Sequence, residues 1–255
     1  MKDLPAIPND TSLRPLNPID YGVLKLSLQS VRAVIFDLDG TLIDYRYRAE
    51  PARERMIAEL KALDFDVSSM NSQQPSQIIM AGAYVQIEKG EVKISREALR
   101  NRLYAMLDTF DMEAYRNSDI KPHSVPAMRE IKNKGYLLGL FTNSGSKTVK
   151  ITLKKYGIGD YFDAVITRDD IEQMKPSGEG LKKMLELLHV EPFEAIYVGD
   201  SWIDITAARE CNVRIIAVEG GAGTRERLQE QSPELILPSL EQLPSLLPII
   251  NSRSN

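Results

Sequence analysis

The sequence predicts an α/β protein: a doubly wound parallel sheet, Rossmann-like, with a helical domain inserted after its first strand. Three observations carry this. Short apolar runs recur at 31–36, 136–141, 164–167, 195–198 and 214–218, the first of them rich in β-branched residues. Segments with helical spacing separate several of them, at 146–156, 180–189 and 202–211. One long stretch, from about 45 to 122, holds no such run and repeats apolar residues at helical spacing instead.

Residues 1–20 are rich in Pro, Asn and Asp, show no periodicity and are expected to be an extension. Residues 21–28 alternate weakly, as a short edge strand would. The run 31–36, apolar without a break from Ala33 to Phe36, reads as a strand buried on both faces. Strands that alternate with helices imply βαβ units and parallel pairing. Gly135, Gly157 and Asn212 stand where helices should stop in a left-handed residue. In the inserted stretch, helices are expected at 49–63, 76–89, 95–108 and 111–117. Met56, Leu60 and Leu63 recur at helical spacing, as do Leu99, Leu103, Met106 and Phe110, so both stripes read as a bundle core. The expected division is an extension at 1–20, an α/β core at 21–44 and 123–250, and a helical cap at 45–122.

The 255 residues carry a formal net charge of −4 and are 43% hydrophobic, ordinary for a globular protein long enough to bury a core. Mild acidity argues against a nucleic acid polymer as partner, which needs a basic surface. No run approaches the roughly 18 apolar residues of a membrane span. The first twenty residues have no apolar stretch of signal-peptide length, so a cytoplasmic location is expected. The single cysteine, Cys211, is expected to be a small buried residue. His123 and His189 lack partners at ligand spacing and are given no role.

In open α/β sheets ligands bind at the carboxyl ends of the strands. There the sequence places Asp37-Leu38-Asp39-Gly40-Thr41, then Thr142-Asn143-Ser144-Gly145, then Gly199-Asp200-Ser201 with Asp204 four residues on. Lys175 precedes Pro176 in a loop before a helix. These types suit cleavage of a phosphate ester. A carboxylate can be the nucleophile, but it repels a phosphate dianion unless a cation intervenes. Mg²⁺ prefers oxygen ligands and could be held by Asp37, Asp39 and Asp200. Lys175, the Thr142 hydroxyl, and backbone N–H groups near Asn143 and Gly40 could bind phosphate oxygens.

The segments Phe36-Asp37-Leu38-Asp39-Gly40-Thr41-Leu42, Thr142-Asn143, Lys175-Pro176 and Gly199-Asp200-Ser201-Trp202-Ile203-Asp204 resemble, in order, the four motifs of the haloacid dehalogenase superfamily. The resemblance covers about 31–247. It implies that Asp37 is the nucleophile and a metal ligand. It makes Asp39 the general acid, then the base that activates water, with its backbone carbonyl on Mg²⁺. Thr142 would hydrogen-bond the phosphoryl oxygen, Lys175 would orient and neutralise nucleophile and phosphate, and Asp200 would be the third protein ligand. Asp204 would support the site from behind by holding Lys175 or a metal-bound water. Dehalogenases of this family lack the second aspartate, so Asp39 favours phosphoryl transfer. The resemblance points to the helical-cap branch, which holds phosphoglycolate-phosphatase-like enzymes. The expected activity is hydrolysis of a small phosphate monoester such as phosphoglycolate, a sugar phosphate or a nucleotide. A phosphomutase or other phosphotransferase of the same fold, or a non-catalytic regulatory relative, stays open as an alternative.

Side chains around these motifs are weaker expectations. Arg46 and Arg48 could meet an anionic substrate but read better as a solvated hinge. Tyr84 and Gln77 read better as packing than as cleft residues. Trp202 either shapes the pocket or packs under the sheet edge, and packing is the favoured reading.

Overall fold

A computed structural model describes residues 28–250. The extension at 1–20 and most of the weak strand at 21–28 lie outside the described residues; Leu28 itself sits in a turn. The structure is a six-stranded sheet with helices on both faces, and the neighbouring strands pair in parallel. The strands are β1 (Ala33–Phe36), β4 (Leu137–Phe141), β5 (Ala164–Ile166), β6 (Ala195–Gly199), β7 (Arg214–Val218) and β8 (Leu235–Leu237). Their spatial order is β5-β4-β1-β6-β7-β8.

The continuous apolar run of β1 has a direct cause. Val34 and Phe36 enter a core with Met128 and Ile131 on one face. Ala33 and Ile35 enter another with Leu181 and Met184 on the opposite face. Both cores need apolar side chains, so no position of β1 alternates to polar.

The strand order reverses at β1. The chain leaves it for β4 and β5 on one side, then returns to β6, β7 and β8 on the other. The crevice at the carboxyl end of β1 is therefore the topological switch point, where such folds bind ligands. Asp37 is the first residue past that end.

Two short strands, β2 (Ile43–Asp44) and β3 (Asp119–Ile120), pair antiparallel where the chain leaves the sheet and returns to it. Between them lie α1 (Ala49–Ala62), α2 (Ser76–Glu88) and α3 (Arg96–Arg116). Ala52, Met56, Leu60, Ile79, Met80, Leu99 and Leu103 join in a third apolar cluster, distinct from the two around the sheet. Met174, from the loop before the next sheet-flanking helix, packs into it.

Two differences from the sequence expectations have physical reasons. The expected helices at 95–108 and 111–117 are one helix, α3. No Gly or Pro interrupts it, and the polar pair Asp108 and Asp111, which looks like a break, faces Arg168 of the sheet domain. The sheet has a sixth strand, β8, whose three residues are too few to show a period. A helix α4 (Ser124–Asn133) precedes β4. A short helix, α8 (Arg225–Glu230), precedes β8. The remaining helices are α5 (Ser146–Tyr156), α6 (Glu179–Leu188), α7 (Trp202–Glu210) and α9 (Leu243–Leu246). Gly157 and Asn212 adopt left-handed φ of 62° and 55° past the ends of α5 and α7. Cys211 is buried just after α7.

Gly180 is a close-approach glycine. A Cβ there would lie 2.3 Å from Cε2 of Phe141 on β4. Alanine favours a helix by up to about 1 kcal/mol over glycine, but overpacking a core costs about 1–3 kcal/mol. Gly180→Ala is therefore expected to lose about 1–2 kcal/mol of stability in urea denaturation. An unchanged midpoint would mean that α6 moves off the sheet freely.

Candidate active site

The four strand-end segments meet in one crevice. Asp37 follows β1 and its backbone N–H donates to the Val198 carbonyl of β6, which ties the nucleophile candidate to the sheet. Asp37 Oδ1 accepts from Lys175 Nζ at 2.6 Å. Asp37 Oδ2 is buried and has no hydrogen-bond partner. Lys175 Nζ also donates to Asp204 Oδ1 at 2.7 Å and to the Tyr197 hydroxyl at 3.0 Å. Burial works against the lysine's charge, but Asp204 and Asp37 outweigh it and hold the ammonium above its ordinary range.

Asp204 is held from both sides. Oδ1 takes Lys175 and, at 3.0 Å, the Tyr197 hydroxyl. Oδ2 takes the Ser201 N–H at 3.1 Å and the Ser201 hydroxyl, closing a capping box at the start of α7. The same residue thus caps a helix and aims the lysine.

Asp39 turns toward β4. Its Oδ2 accepts from the Thr142 hydroxyl at 2.6 Å and the Ser144 hydroxyl at 2.7 Å. Burial pushes its carboxyl up to about 6 against the pull of those hydrogen bonds. The Thr142 hydroxyl is therefore directed at Asp39. Asn143 makes a reciprocal pair with the lysine backbone: Nδ2 donates to the Lys175 carbonyl at 3.1 Å, and the Lys175 N–H donates to Oδ1 at 2.9 Å. That pair fixes the loop carrying Lys175.

Asp200 accepts from the Thr41 hydroxyl at 3.3 Å and from the Ala222 N–H. Burial, then the nearby Asp204, pushes its carboxyl up to about 6. Gly40 has φ of 95°, and a Cβ there would sit 2.5 Å from Asp200 Oδ2, so only glycine lets the β1 loop pass this carboxylate. Lys121, just after β3, donates to the Gly40 carbonyl and, at 2.9 Å, to the Gly220 carbonyl.

Oxygens of Asp37, Asp200 and Asp204 lie within 4.8 Å of one another, a spacing that suits a divalent cation. The donor set fits one. Asp37 Oδ2 is a buried acceptor with nothing to accept from, and Asp200 is raised by its surroundings in a way that a cation would reverse. Asp204 already accepts four hydrogen bonds, so it suits the supporting position better than a ligand position.

These groups line one end of a cavity of about 550 Å³ between the sheet and the three-helix unit. Trp202 lines it too, so of the two readings of that residue the pocket-shaping one matches the structure and the favoured packing one does not. Gln77 also lines it, contrary to the packing expectation, and accepts from the Met174 N–H at 3.1 Å. Tyr84 is packed, with the Arg96 guanidinium 4.4 Å from its ring centroid. Arg46 pairs with Asp44 and Arg48 with Glu113 at the exposed surface. His123 and His189 take left-handed φ beside helix ends, away from the cavity.

The family is settled by a match over most of this architecture. The model of haloacid dehalogenase-like hydrolases matches residues 34–218, from β1 through β7. The chain belongs to that family. It is 27% identical over 226 residues to the pyrophosphatase PpaX of Bacillus cereus strain B4264, covering 87% of this chain and 97% of that one. It is 30% identical over 218 residues to phosphoglycolate phosphatase 1 of Pseudomonas aeruginosa, covering 83% and 78%. The fold is similar to the crystal structure of a predicted phosphatase from Clostridium acetobutylicum, with TM-score 0.61 and 22% identity over 84% of this chain and 97% of that one.

Several residues of this hydrolase's site escaped the sequence. Ser144 was legible as the residue after Thr142-Asn143 in a strand-end loop. Tyr197 reads only as a strand residue. Arg168 has almost no exposed surface, yet it pairs with Asp111 at 2.8 Å and with Asp108, both on α3. Its Nη1 also donates to the Asn143 carbonyl at 3.2 Å. Asp111 in turn accepts from the Gly145 N–H at 3.1 Å and the Tyr45 hydroxyl at 3.2 Å. This bridge fastens the helical unit to the loop after β4, and an Arg inside Thr-Arg-Asp-Asp carries no sequence signal for it.

Proposed function

We propose that this hydrolase is a Mg²⁺-dependent phosphatase for small phosphate monoesters, acting through an aspartyl-phosphate on Asp37. The observation that carries the reading is the split environment of the Asp37 carboxylate. One oxygen is pinned by Lys175, while the other is buried, unpartnered and part of the cavity lining residue.

Asp37 Oδ2 attacks phosphorus, and the bond to the ester oxygen breaks. Asp39, held near neutral pH by burial, gives the leaving oxygen its proton. It then takes a proton from the water that cleaves the aspartyl-phosphate, which returns the Asp37 carboxylate and frees phosphate. Thr142 and Ser144 hold Asp39 for both transfers, and Lys175 keeps positive charge beside the nucleophile. Asp37, the Asp39 carbonyl and Asp200 would hold Mg²⁺, which neutralises charge between carboxylates and phosphoryl oxygens. Residues 45–122 would serve as a cap that excludes water during the first transfer. The names of the relatives make phosphoglycolate and pyrophosphate the first compounds to try.

The test is phosphate release from an aryl phosphate and a panel of small esters, with Mg²⁺ and with a chelator. Mg²⁺-dependent release is expected. Conversion of a substrate without net phosphate would point to a mutase instead.

A second expectation concerns the cation and pH. Asp39 and Asp200 sit near 6, above the ordinary carboxylate value of 3.8. A raised group favours the folded state below its ordinary value and loses that contribution as pH rises through about 6. In chelator the ionised pair is therefore a liability at neutral pH, and Mg²⁺ relieves it. At about a hundredfold excess over its dissociation constant, bound Mg²⁺ adds about 2.7 kcal/mol, or ~5–10 °C in Tm for a protein of this size. The gain is expected to be larger near pH 7 than near pH 5 by thermal melting. Equal gains at both would remove Asp200 from the ligand set.

A further inference from the structure

The cavity has a second polar end, on the three-helix unit. Arg53 of α1 lines it together with Ser76 and Gln77, the first residues of α2. Arg53 Nη1 donates to the Ser72 carbonyl at 3.2 Å, and its Nε is buried without a partner. Burial works against its charge, and Tyr47 and Glu50 are the groups that favour it. Glu50 Oε1 accepts from Gln73 Nε2 at 2.8 Å and the Ser72 hydroxyl at 3.4 Å, and no ion pair joins Glu50 to Arg53 among the described residues.

Arg168 and Arg227 also line the cavity; Arg227 is exposed to solvent, so Arg168 makes the contrast. Arg168 is neutralised by Asp108 and Asp111. Arg53 makes no comparable pair among the described residues, although a half-buried guanidinium beside a cavity is costly to leave without an anion. A second feature points the same way. The start of α2 has no side-chain cap, and Pro75, Ser76 and Gln77 all border the cavity. The N-terminal end of a 13-residue helix carries partial positive charge and free N–H donors, which favour an anion.

On the phosphatase reading, the phosphoryl group sits on the sheet side of the cavity, beside Asp37 and Lys175. We infer that Arg53 and the start of α2 bind a second anionic group of the substrate, a carboxylate or a second phosphate. The preferred substrates are then small phosphate compounds with an anion at each end, and Arg53 is the residue that selects them. This rests on the phosphatase reading of the same site and goes further by naming the substrate class.

The test measures kcat/KM for phosphoglycolate, inorganic pyrophosphate and ethyl phosphate in the parent protein, R53Q and R53K. Release from any of the three by the parent tests the phosphatase reading; release from none overturns it, and this inference with it. The ratio of each two-anion compound to ethyl phosphate tests Arg53 alone, because any loss of folded protein cancels in a ratio. That ratio is expected to fall at least tenfold in R53Q, mainly through KM, and to recover in part in R53K. A fall for phosphoglycolate names the carboxylate as the second group, and a fall for pyrophosphate names the phosphate. Ratios unchanged in R53Q, with the parent active, overturn the role of Arg53 and leave the phosphatase reading standing.

Discussion

Asp37→Asn is expected to lower phosphate release by about 10⁴-fold or more while leaving the fold intact. An amide is a poor nucleophile, and the neighbouring carboxylates are held by other partners, Asp200 by Thr41 and Ala222. Asp39 turns away toward Thr142 and Ser144, and Asp204 is committed to Lys175, Tyr197 and Ser201. The variant is nearly isosteric and its Oδ1 still accepts from Lys175, so the lysine keeps both of its carboxyl-side partners. It also removes one of several clustered carboxylates. Stability in chelator is therefore expected to be unchanged or higher, and the Mg²⁺-linked gain in Tm smaller. Steady-state phosphate release and thermal melting with and without Mg²⁺ check both halves. Residual activity of a few per cent would mean that water, or another residue, attacks phosphorus.

Lys175→Met is expected to damage fold and activity together. Methionine fills similar space, but Asp37 and Asp204 lose a shared cation in a site with almost no exposed surface. Removing one partner of a buried pair costs about 3–5 kcal/mol, because the remaining charges stay buried and uncompensated. Urea denaturation should show that loss at neutral pH. Adding Asp204→Asn should recover part of it, since the two residues form one network and their effects are not additive. Lys175→Arg should not restore activity: a planar fork cannot occupy the place of a point ammonium between Asp37, Asp204 and Tyr197. A small loss in Lys175→Met would mean that water enters the site and hydrates the two carboxylates.

The sequence was most informative where function is local in the chain. Asp37 and Asp39 are two residues apart at the end of a strand whose burial on both faces is written in four apolar residues. Asp200 and Asp204 sit at the end of a second such strand and in the first turn of the helix after it. Because parallel strands end on the same side of a sheet, the alternation of strand and helix already places those carboxylates together. Where an element was too short to show a period, as in β8, or where a polar patch looked like an end, as at Asp108 and Asp111, the reading failed.

Composition, periodicity and the four strand-end segments were sufficient for the fold class, the switch-point crevice and the residue types facing it. Pairing was not legible. Lys175 meets Asp37 across 138 positions and Arg168 meets Asp108 across 60, and each contact depends on how two elements pack and which rotamer each side chain adopts. The direction of Thr142 toward Asp39, the free oxygen of Asp37 and the unmatched charge of Arg53 are likewise properties of packing. Chain order dictates which groups arrive at a crevice. Only three-dimensional packing decides which of them neutralise one another and which are left for a substrate, because burial sets the energetic cost of an unpaired group and burial belongs to the assembled structure.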